Sequence, residues 1–207
     1  MVALTGGGPY ALACAAAIPE RLTGVAIVSG AAPLERVGAD ALGAMGPLIG
    51  LARRSPRLLR TLYGVLVPLM RRWPERAHHL VSASYSEAER QVAERPEVRQ
   101  TQIAMILEVF RSGARGEVTE VAPLGAPWGF RPEDITMAVH LWDGDQNRLI
   151  PPTHAQYLAR ALPQSQLTVC PGEGHLLIVD HMDEILRTAL GGAPRPGAER
   201  ESSNSRG

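Results

Sequence analysis

Residues 3–10 read ALTGGGPY and join two apolar segments of different character. The residues before Thr5 form the end of an apolar run typical of a buried strand, whereas residues 9–18, PYALACAAAI, are apolar on nearly every face, as in a helix buried against a sheet. A strand, a glycine-rich turn and a buried helix predict a tight elbow, in which a strained backbone lifts the Thr5 side chain above the sheet. Small neighbours are needed there because strand and helix nearly touch.

A glycine-rich turn of this kind has a second interpretation as a phosphate-binding loop. Such a loop in a nucleotide-binding protein ends in Gly-Lys-Ser or Gly-Lys-Thr. Residues 5–10 lack that ending. The pattern therefore favours the elbow.

Three further strands and two further helices follow the same alternating pattern. The strands are predicted at 25–29 (VAIVS, between glycines), 135–142 (ITMAVHLW) and 166–170 (QLTVC). The helices are predicted at 153–162 and at 181–190, the second one capped by Asp180 and stopped by Gly191. Strands that alternate with helices predict a parallel sheet with crossover helices, whose active sites lie beyond the carboxyl ends of the strands.

Residues 34–134 differ from the rest of the chain in composition, because they hold most of the arginines and long amphipathic stretches. We expect about four helices here, with breaks at Pro47, Pro56, Pro68, Pro74 and Pro96. Apolar residues recur at helical spacing and predict a packing face: Leu58, Leu59, Leu62, Val65, Leu66 and Leu69. A membrane-surface helix is the alternative, and the mixed polar face disfavours it. Near the end of this segment Trp128 and Phe130 are expected to pack between domains or to line a pocket.

The turn after the strand at 135–142 carries the next candidate group. In the run LWDGDQNRLIP, residues 141–151, Asn147 follows a glycine by three residues, where a carboxylate would lie beside a histidine. Asp143 and Asp145 are expected to point elsewhere as turn or surface groups. The alternative interpretation is a polar turn that only closes the strand.

His175 lies in the run PGEGHL, residues 171–176, a glycine-flanked loop after the last strand. A lone histidine is more often structural than catalytic. Here the chain order Thr5, Asn147, His175 matches the order nucleophile, acid, histidine of hydrolases built on an α/β sheet. The order therefore favours a functional role for His175. The other histidines are predicted to be structural: His78 and His79 as an exposed helical pair, His140 packed in a strand, and His154 and His181 on helix surfaces.

Together these segments resemble the α/β-hydrolase family over about residues 2–190, through TGGGPYALACAA, VAIVSGAAP, VHLWDGDQNRLIPP and PGEGHLL. The resemblance implies a partial α/β-hydrolase fold, with the elbow and start of the core in 1–33, a helical cap in 34–134, the rest of the core in 135–190 and a disordered tail in 191–207. In this family a serine attacks a carbonyl carbon, a histidine takes its proton and an aspartate orients the histidine. By position these roles fall on Thr5, His175 and Asn147, with the backbone N–H of Gly6 as one oxyanion-hole donor.

The chain departs from the family pattern at three points. Thr5 keeps a hydroxyl, but its β-methyl crowds a strained elbow. Asn147 cannot stabilise an imidazolium as a carboxylate does, and the equivalent change in a serine protease costs about 10⁴-fold in rate. The family's early strands and second oxyanion donor have no counterpart before Met1, and loss of one such donor costs about 10²–10³ in rate. The uncovered sheet edge predicts poor stability of the isolated chain and is a candidate surface for self-association.

Composition excludes several other classes of function. The chain has 207 residues, 45% of them hydrophobic, and a formal net charge of 0, which predicts a soluble domain that binds neither nucleic acid nor an anionic membrane. Cys14 and Cys170 lie far apart in apolar runs and predict buried free thiols, with no metal or redox motif. Without a signal peptide or transmembrane run, a cytoplasmic location is expected, and no cofactor or metal is implied.

Three functions remain open from the sequence. The first is hydrolysis of a small ester, amide or related bond, with Thr5 as nucleophile, His175 as base and Asn147 as the residue that orients it. The second is a non-catalytic relative, a binding module that keeps the pocket for a small-molecule ligand but not the chemistry. The third is a truncated product with no selected function.

Overall fold

Four parallel strands form one sheet in the computed structural model, which describes residues 1–37, 43, 46–111 and 115–191. The strands are β1 (Val2–Leu4), β2 (Val25–Val28), β3 (Val139–Gly144) and β4 (Ser165–Cys170). Their order in the sheet is β1-β2-β3-β4, and each neighbouring pair is parallel. The predicted parallel sheet is thereby confirmed, and β1 lies at one edge of the described sheet.

Helices cover both faces of this sheet. α1 (Gly8–Ala17) joins β1 to β2, α9 (Thr153–Ala161) joins β3 to β4, and α10 (Ile178–Ala189) follows β4. In β2, Val25 and Ile27 belong to a core cluster that contains residues of α1 and α9, whereas Ala26 and Val28 belong to a second cluster with residues of α10. Because successive side chains of a strand point to opposite faces, an apolar run such as β2 requires a cover on each side.

Seven helices lie between β2 and β3 in the described residues. They are α2 (Leu34–Val37), α3 (Gly46–Arg54), α4 (Pro56–Arg72), α5 (Pro74–Ser82), α6 (Glu87–Ala93), α7 (Pro96–Val109) and α8 (Arg115–Leu124). About four were expected, and the excess arises because the chain turns more often than its proline pattern suggests. The division of the chain at residues 33 and 134 stays a prediction.

The prolines of this segment mark helix starts more than helix breaks. Pro56, Pro74 and Pro96 each occupy the first turn of a helix, where the missing N–H costs nothing. The predicted break at Pro68 is wrong, because α4 continues through it to Arg72. Leu59 and Val67, both before the exposed Pro68, are buried and anchor the helix on the protein up to the proline.

The predicted packing face of α4 is only partly correct. Leu59 is buried, but Leu58, Leu62, Val65 and Leu69 are between 45% and 63% exposed. The helix therefore contacts the protein along a narrower strip than its apolar residues suggest. These four residues form an apolar stripe on the outer surface, which helical spacing alone could not place inside or outside.

Several element boundaries differ from the sequence prediction. β3 begins at Val139, not Ile135, and it ends at Gly144, so that Asp143 and Gly144 belong to the strand and not to a turn. α10 begins at Ile178, with Asp180 in its first turn; the side chain of Asp180 binds Arg95 instead of capping the helix. Gly191 adopts a φ of +84° at the end of α10, as expected of a helix stop.

Three histidines predicted at the surface are not there. His78 is buried and its Nε2 lies 2.9 Å from Oε1 of Gln102, while only His79 is exposed. His154 is buried, and its Nδ1 accepts a hydrogen bond from the backbone N–H of Ala32 across 2.9 Å. The half-buried His181 is bonded to Glu173. In each case a polar partner from another element makes burial possible.

The predictions for the cysteines, for two aromatic residues and for the C-terminal tail have different outcomes. Cys14 and Cys170 are free thiols as predicted, although only Cys170 is fully buried. The rings of Trp128 and Phe130 pack 5.4 Å apart against the core. The predicted disordered tail beyond Gly191 lies outside the described residues. Among those residues, none of the helices combines the length and apolar composition that a bilayer crossing requires.

Candidate active site

The turn between β1 and α1 has the geometry of the predicted elbow. Residues 5–7 form a single 3-10 turn, and Thr5 has a φ of +56°. For a β-branched residue this left-handed conformation costs on the order of 1–3 kcal/mol. Strand and helix approach closely, since a Cβ atom added to Gly8 would lie 3.2 Å from Cγ2 of Ile27. The strained residue and its small neighbours are therefore both present.

Thr5 and His175, 170 positions apart in the chain, meet above the sheet. Oγ1 of Thr5 lies 2.6 Å from Nε2 of His175, a hydrogen-bond distance. His175 is 4% exposed and lies in the loop that joins β4 to α10. Because the strands are parallel, both loops lie at the carboxyl ends of the strands. The hydroxyl and the imidazole are therefore positioned for proton transfer.

The surroundings of His175 keep its ring neutral. Burial lowers the pKa of His175 to about 4, and the charge of Glu89 opposes this shift. A neutral imidazole is the form that can accept a proton from a hydroxyl. At neutral pH the ring is therefore in the protonation state that a general base needs.

Asn147 lies in the loop after β3, but it is bonded to other groups. Its Nδ2 donates to Oδ1 of Asp143 across 2.8 Å, and its Oδ1 accepts from the backbone N–H of Ile150 across 3.0 Å. Within the described part of the chain, Nδ1 of His175 has no hydrogen-bond partner. The structure thus brings together two of the three predicted triad residues, and no hydrogen bond joins Asn147 to the histidine.

Asp143 was expected at the surface, and this expectation is wrong. Its side chain is 1% exposed, because β3 extends to Gly144 and carries it into the interior. Oδ1 accepts from Asn147 and from the backbone N–H of Gly144, at 2.8 and 2.9 Å. Burial raises the pKa of Asp143 to about 6, with a contribution from Glu89, whereas hydrogen bonds from Asn147 and Gly144 and the nearby hydroxyl of Ser29 oppose the shift. A buried carboxylate therefore lies directly against the residue at the acid position.

Glu89 on α6 is a second buried carboxylate that the sequence interpretation missed. Oε1 accepts from the backbone N–H groups of His175 and Arg148, at 2.9 and 3.2 Å, and Oε2 accepts from that of Ser86 at 2.5 Å. Ser86 and Glu89 form a capping box, and the spacing Ser-x-x-Glu was the signal in the sequence. A Cβ atom on Gly174 would lie 2.2 Å from Cγ of Glu89, so only glycine fits beside it.

A small apolar cavity adjoins Thr5. Its volume is about 30 Å³, and it is lined by Thr5, Gly6, Ala31, Leu34, Ile49, Leu124, Ile150 and His154. Leu124 covers the elbow so closely that a Cβ atom on Gly6 would lie 3.3 Å from its Cδ1. Residues from the helical segment between β2 and β3 thus close the space directly above Thr5 and Gly6.

In the part of the chain that the structure describes, two groups of side chains have donor atoms close enough to share a metal ion. One consists of His78, His79 and Glu94, the other of Cys170, Glu173 and His181. Each offers three donors, fewer than the four of a structural zinc site. In the second group burial raises the pKa of the Cys170 thiol to about 12, and Glu173 is already bonded to His181. Neither arrangement adds a cation to the Thr5–His175 pair.

Comparison with known proteins agrees with this fold. The sequence profile of the alpha/beta hydrolase family matches residues 1–188, and the chain therefore belongs to the α/β-hydrolase family. A search of curated proteins found no match.

Solved structures of hydrolases resemble the chain at low sequence identity. The enol-lactonase of Burkholderia xenovorans LB400 is 18% identical with a TM-score of 0.58, over 92% of this chain and 63% of that protein. Est816, described as an N-acyl homoserine lactone degrading enzyme, is 19% identical with a TM-score of 0.56, over 93% and 66% of the two chains. A thermophilic esterase from Thermogutta terrifontis is 20% identical with a TM-score of 0.53, over 92% and 65%. The chain thus spans less than two thirds of these proteins.

Proposed function

We propose that the chain hydrolyses a small ester, amide or related bond, with Thr5 as nucleophile and His175 as general base. The observation that carries this proposal is the 2.6 Å contact between Oγ1 of Thr5 and Nε2 of His175. It joins a hydroxyl to a neutral imidazole at the position where the α/β-hydrolase family has its nucleophile. Nucleophile, base and strained elbow occur together, which a structural threonine would not require.

In the proposed reaction His175 removes the hydroxyl proton while Oγ1 of Thr5 attacks the carbonyl carbon. The backbone N–H of Gly6, directly after the nucleophile, binds the oxygen that becomes negative in the tetrahedral intermediate. His175 then returns the proton to the leaving group, and an acyl group remains on Thr5. Water attacks this acyl-enzyme with His175 again as base, which frees the acid and restores the hydroxyl.

The cavity beside Thr5 supports a small acyl group. Its volume of about 30 Å³ exceeds the roughly 10–15 Å³ that one buried water molecule needs, so a short acyl chain fits, whereas a long one requires movement of the helices above. Its lining is mainly apolar, and Leu124 and Ile49 close it from the helical segment. We expect p-nitrophenyl acetate to react faster than the octanoate ester, and Leu124→Ala to narrow this difference.

Labelling with a fluorophosphonate probe tests the proposal directly. We expect wild type to be labelled and Thr5→Ala not to be labelled. Thr5→Ser should be labelled faster than wild type, because serine keeps the hydroxyl without the β-methyl. His175→Gln should abolish both labelling and ester hydrolysis. Labelling of Thr5→Ala at the wild-type level would place the reactive group elsewhere and overturn the assignment.

The alternative function is binding of a small ligand without turnover. The unpaired Nδ1 of His175 favours it, because a base that is not held by a partner is poorly oriented. In that case wild type is not labelled, whereas Thr5→Ser combined with Asn147→Asp is. The absence of labelling in all variants would exclude an assembled site in this chain.

A further inference from the structure

Among the described residues, one buried polar atom of the proposed base and one of a buried carboxylate nearby have no hydrogen-bond partner. They are Nδ1 of His175 and Oδ2 of Asp143. In the tautomer that leaves Nε2 free to accept the Thr5 proton, Nδ1 carries a hydrogen and is a donor. An ionised carboxylate oxygen can only accept. A buried donor and a buried acceptor are each costly when unpaired, so the pair calls for an explanation.

The segments that carry these two atoms are in direct contact. Gln146 donates its backbone N–H to the carbonyl of Glu173 across 2.8 Å, and a Cβ atom on Gly144 would lie 2.2 Å from that same oxygen. Ser29, whose hydroxyl donates to the carbonyl of His175 across 3.2 Å, also lies near enough to Asp143 to lower its pKa. The end of β3 thus packs directly against the loop that carries the histidine.

Asn147 is held in one amide orientation between these segments. The ionised Asp143 only accepts, so Nδ2 of Asn147 has to face it, as the 2.8 Å contact shows. The backbone N–H of Ile150 only donates, so Oδ1 has to face it. A carbonyl oxygen has a second lone pair, and in this orientation that acceptor is kept on the side of the residue that does not face Asp143.

We propose that Asp143 is a positioning residue for His175: it orients the amide of Asn147 so that an acceptor is available to Nδ1 of the histidine, and it supplies the negative charge that Asn147 lacks. The acid of the triad is in effect moved four positions back along the chain, to a residue that contacts Asn147. This proposal rests on the proposed function of His175 as a base. The raised pKa of Asp143 agrees with it, since the carboxylate is ionised at neutral pH but not in mild acid.

Glu89, the other buried carboxylate near His175, is less suited to this role. Its two oxygens already accept from three backbone N–H groups, those of Ser86, Arg148 and His175. Its charge acts on both His175 and Asp143. Asp143 in contrast keeps one oxygen free, and it touches the residue at the family's acid position.

An exchange of the two residues tests the proposal by activity. Asp143→Asn alone should lower kcat/KM for p-nitrophenyl acetate by about 10–100-fold, the effect typical of a supporting residue. Asp143→Asn with Asn147→Asp keeps the amide–carboxylate contact but puts the acid at position 147, and it should restore the rate to at least the wild-type level. Asp145→Asn is the matched control, since it removes an exposed acid of the same loop and keeps an acceptor for Gly172. A double variant no faster than Asp143→Asn would overturn the proposal.

The tautomer of His175 gives a second measurement that does not need turnover. In protein with ¹⁵N-labelled histidine, assigned with His175→Gln, wild type at pH 7.5 should carry its proton on Nδ1. Asp143→Asn should move the proton toward Nε2, and Asp145→Asn should not. If wild type lacks esterase activity but the tautomer shifts, the proposed function fails and the positioning role stands. If the tautomer does not change in Asp143→Asn, the positioning role is refuted.

Discussion

Oε1 of Glu89 accepts a hydrogen bond from the backbone N–H of His175 across 2.9 Å, and the same oxygen accepts from that of Arg148 across 3.2 Å. Oε2 meanwhile completes the capping box at the start of α6. One buried side chain therefore ties a helix of the segment between β2 and β3 to the loops that carry His175 and Asn147. The position of the proposed base depends on this helix as well as on the sheet.

Glu89→Gln should lower both the stability of the protein and its rate of ester hydrolysis. The amide keeps one acceptor oxygen, but its NH₂ group has to face a backbone N–H, so buried donors lose their partner at a cost of about 1–3 kcal/mol. Urea unfolding measures this loss, and kcat should fall because the histidine loop is less fixed. Glu87→Gln is the matched control: Glu87 is exposed on the same helix and pairs only with surface groups. Equal effects of the two substitutions would contradict the role of Glu89.

Thr5→Ser should stabilise the chain while it keeps the hydrogen bond to His175. Serine has no β-methyl and tolerates a φ of +56° at lower cost, so we expect a gain of up to about 1 kcal/mol in the free energy of unfolding. Thermal unfolding at pH 7.5 measures it. Thr101→Ser in the regular helix α7 removes the same methyl group from an unstrained, exposed residue and should change stability by less than about 0.5 kcal/mol. A less stable Thr5→Ser would show that the methyl packs favourably.

The positions of Thr5 and His175 could be predicted from the sequence because each is fixed by local chemistry. A glycine-rich turn between a strand and a buried helix, and a glycine-flanked loop after a later strand, both lie at the carboxyl edge of a parallel sheet. Asp143 and Glu89 could not be placed in this way. The burial of Asp143 depends on β3 ending two residues later than predicted, and that of Glu89 on how the helical segment packs on the loops, which no local pattern records.

The surface of α4 shows the same limit for the core. Helical spacing correctly predicts that this stretch is helical, although the break predicted at Pro68 is absent, and the apolar positions occupy more of the helix circumference than the protein covers. We expect Leu62→Ala to change the free energy of unfolding by less than about 0.5 kcal/mol, whereas Leu59→Ala should cost about 2–5 kcal/mol. Urea unfolding of the two variants measures the difference. Comparable losses would mean that the outer stripe is covered in solution.

The dependence of stability on pH should reveal the buried Asp143 and His175 together. The folded-state pKa of His175, about 4, lies below its ordinary 6.5, so its contribution is complete above pH 6.5 and is lost as the pH falls toward 4. The folded-state pKa of Asp143, about 6, lies above its ordinary 3.8, so its contribution is complete below pH 3.8 and is lost as the pH rises toward 6. Between pH 4 and 6 the two effects have opposite signs and nearly cancel.

Asp143→Asn removes one of these opposing contributions. Its stability should therefore fall more steeply than that of wild type as the pH is lowered from 6 to 4, by up to about 3 kcal/mol, because only the histidine effect remains. Urea unfolding across this range measures the slope. Asp145→Asn should keep the wild-type slope, since Asp145 is exposed. Parallel curves for Asp143→Asn and wild type would mean that Asp143 titrates like an ordinary surface carboxylate. The interpretation of Asp143 as a buried charge next to Asn147 would then be wrong.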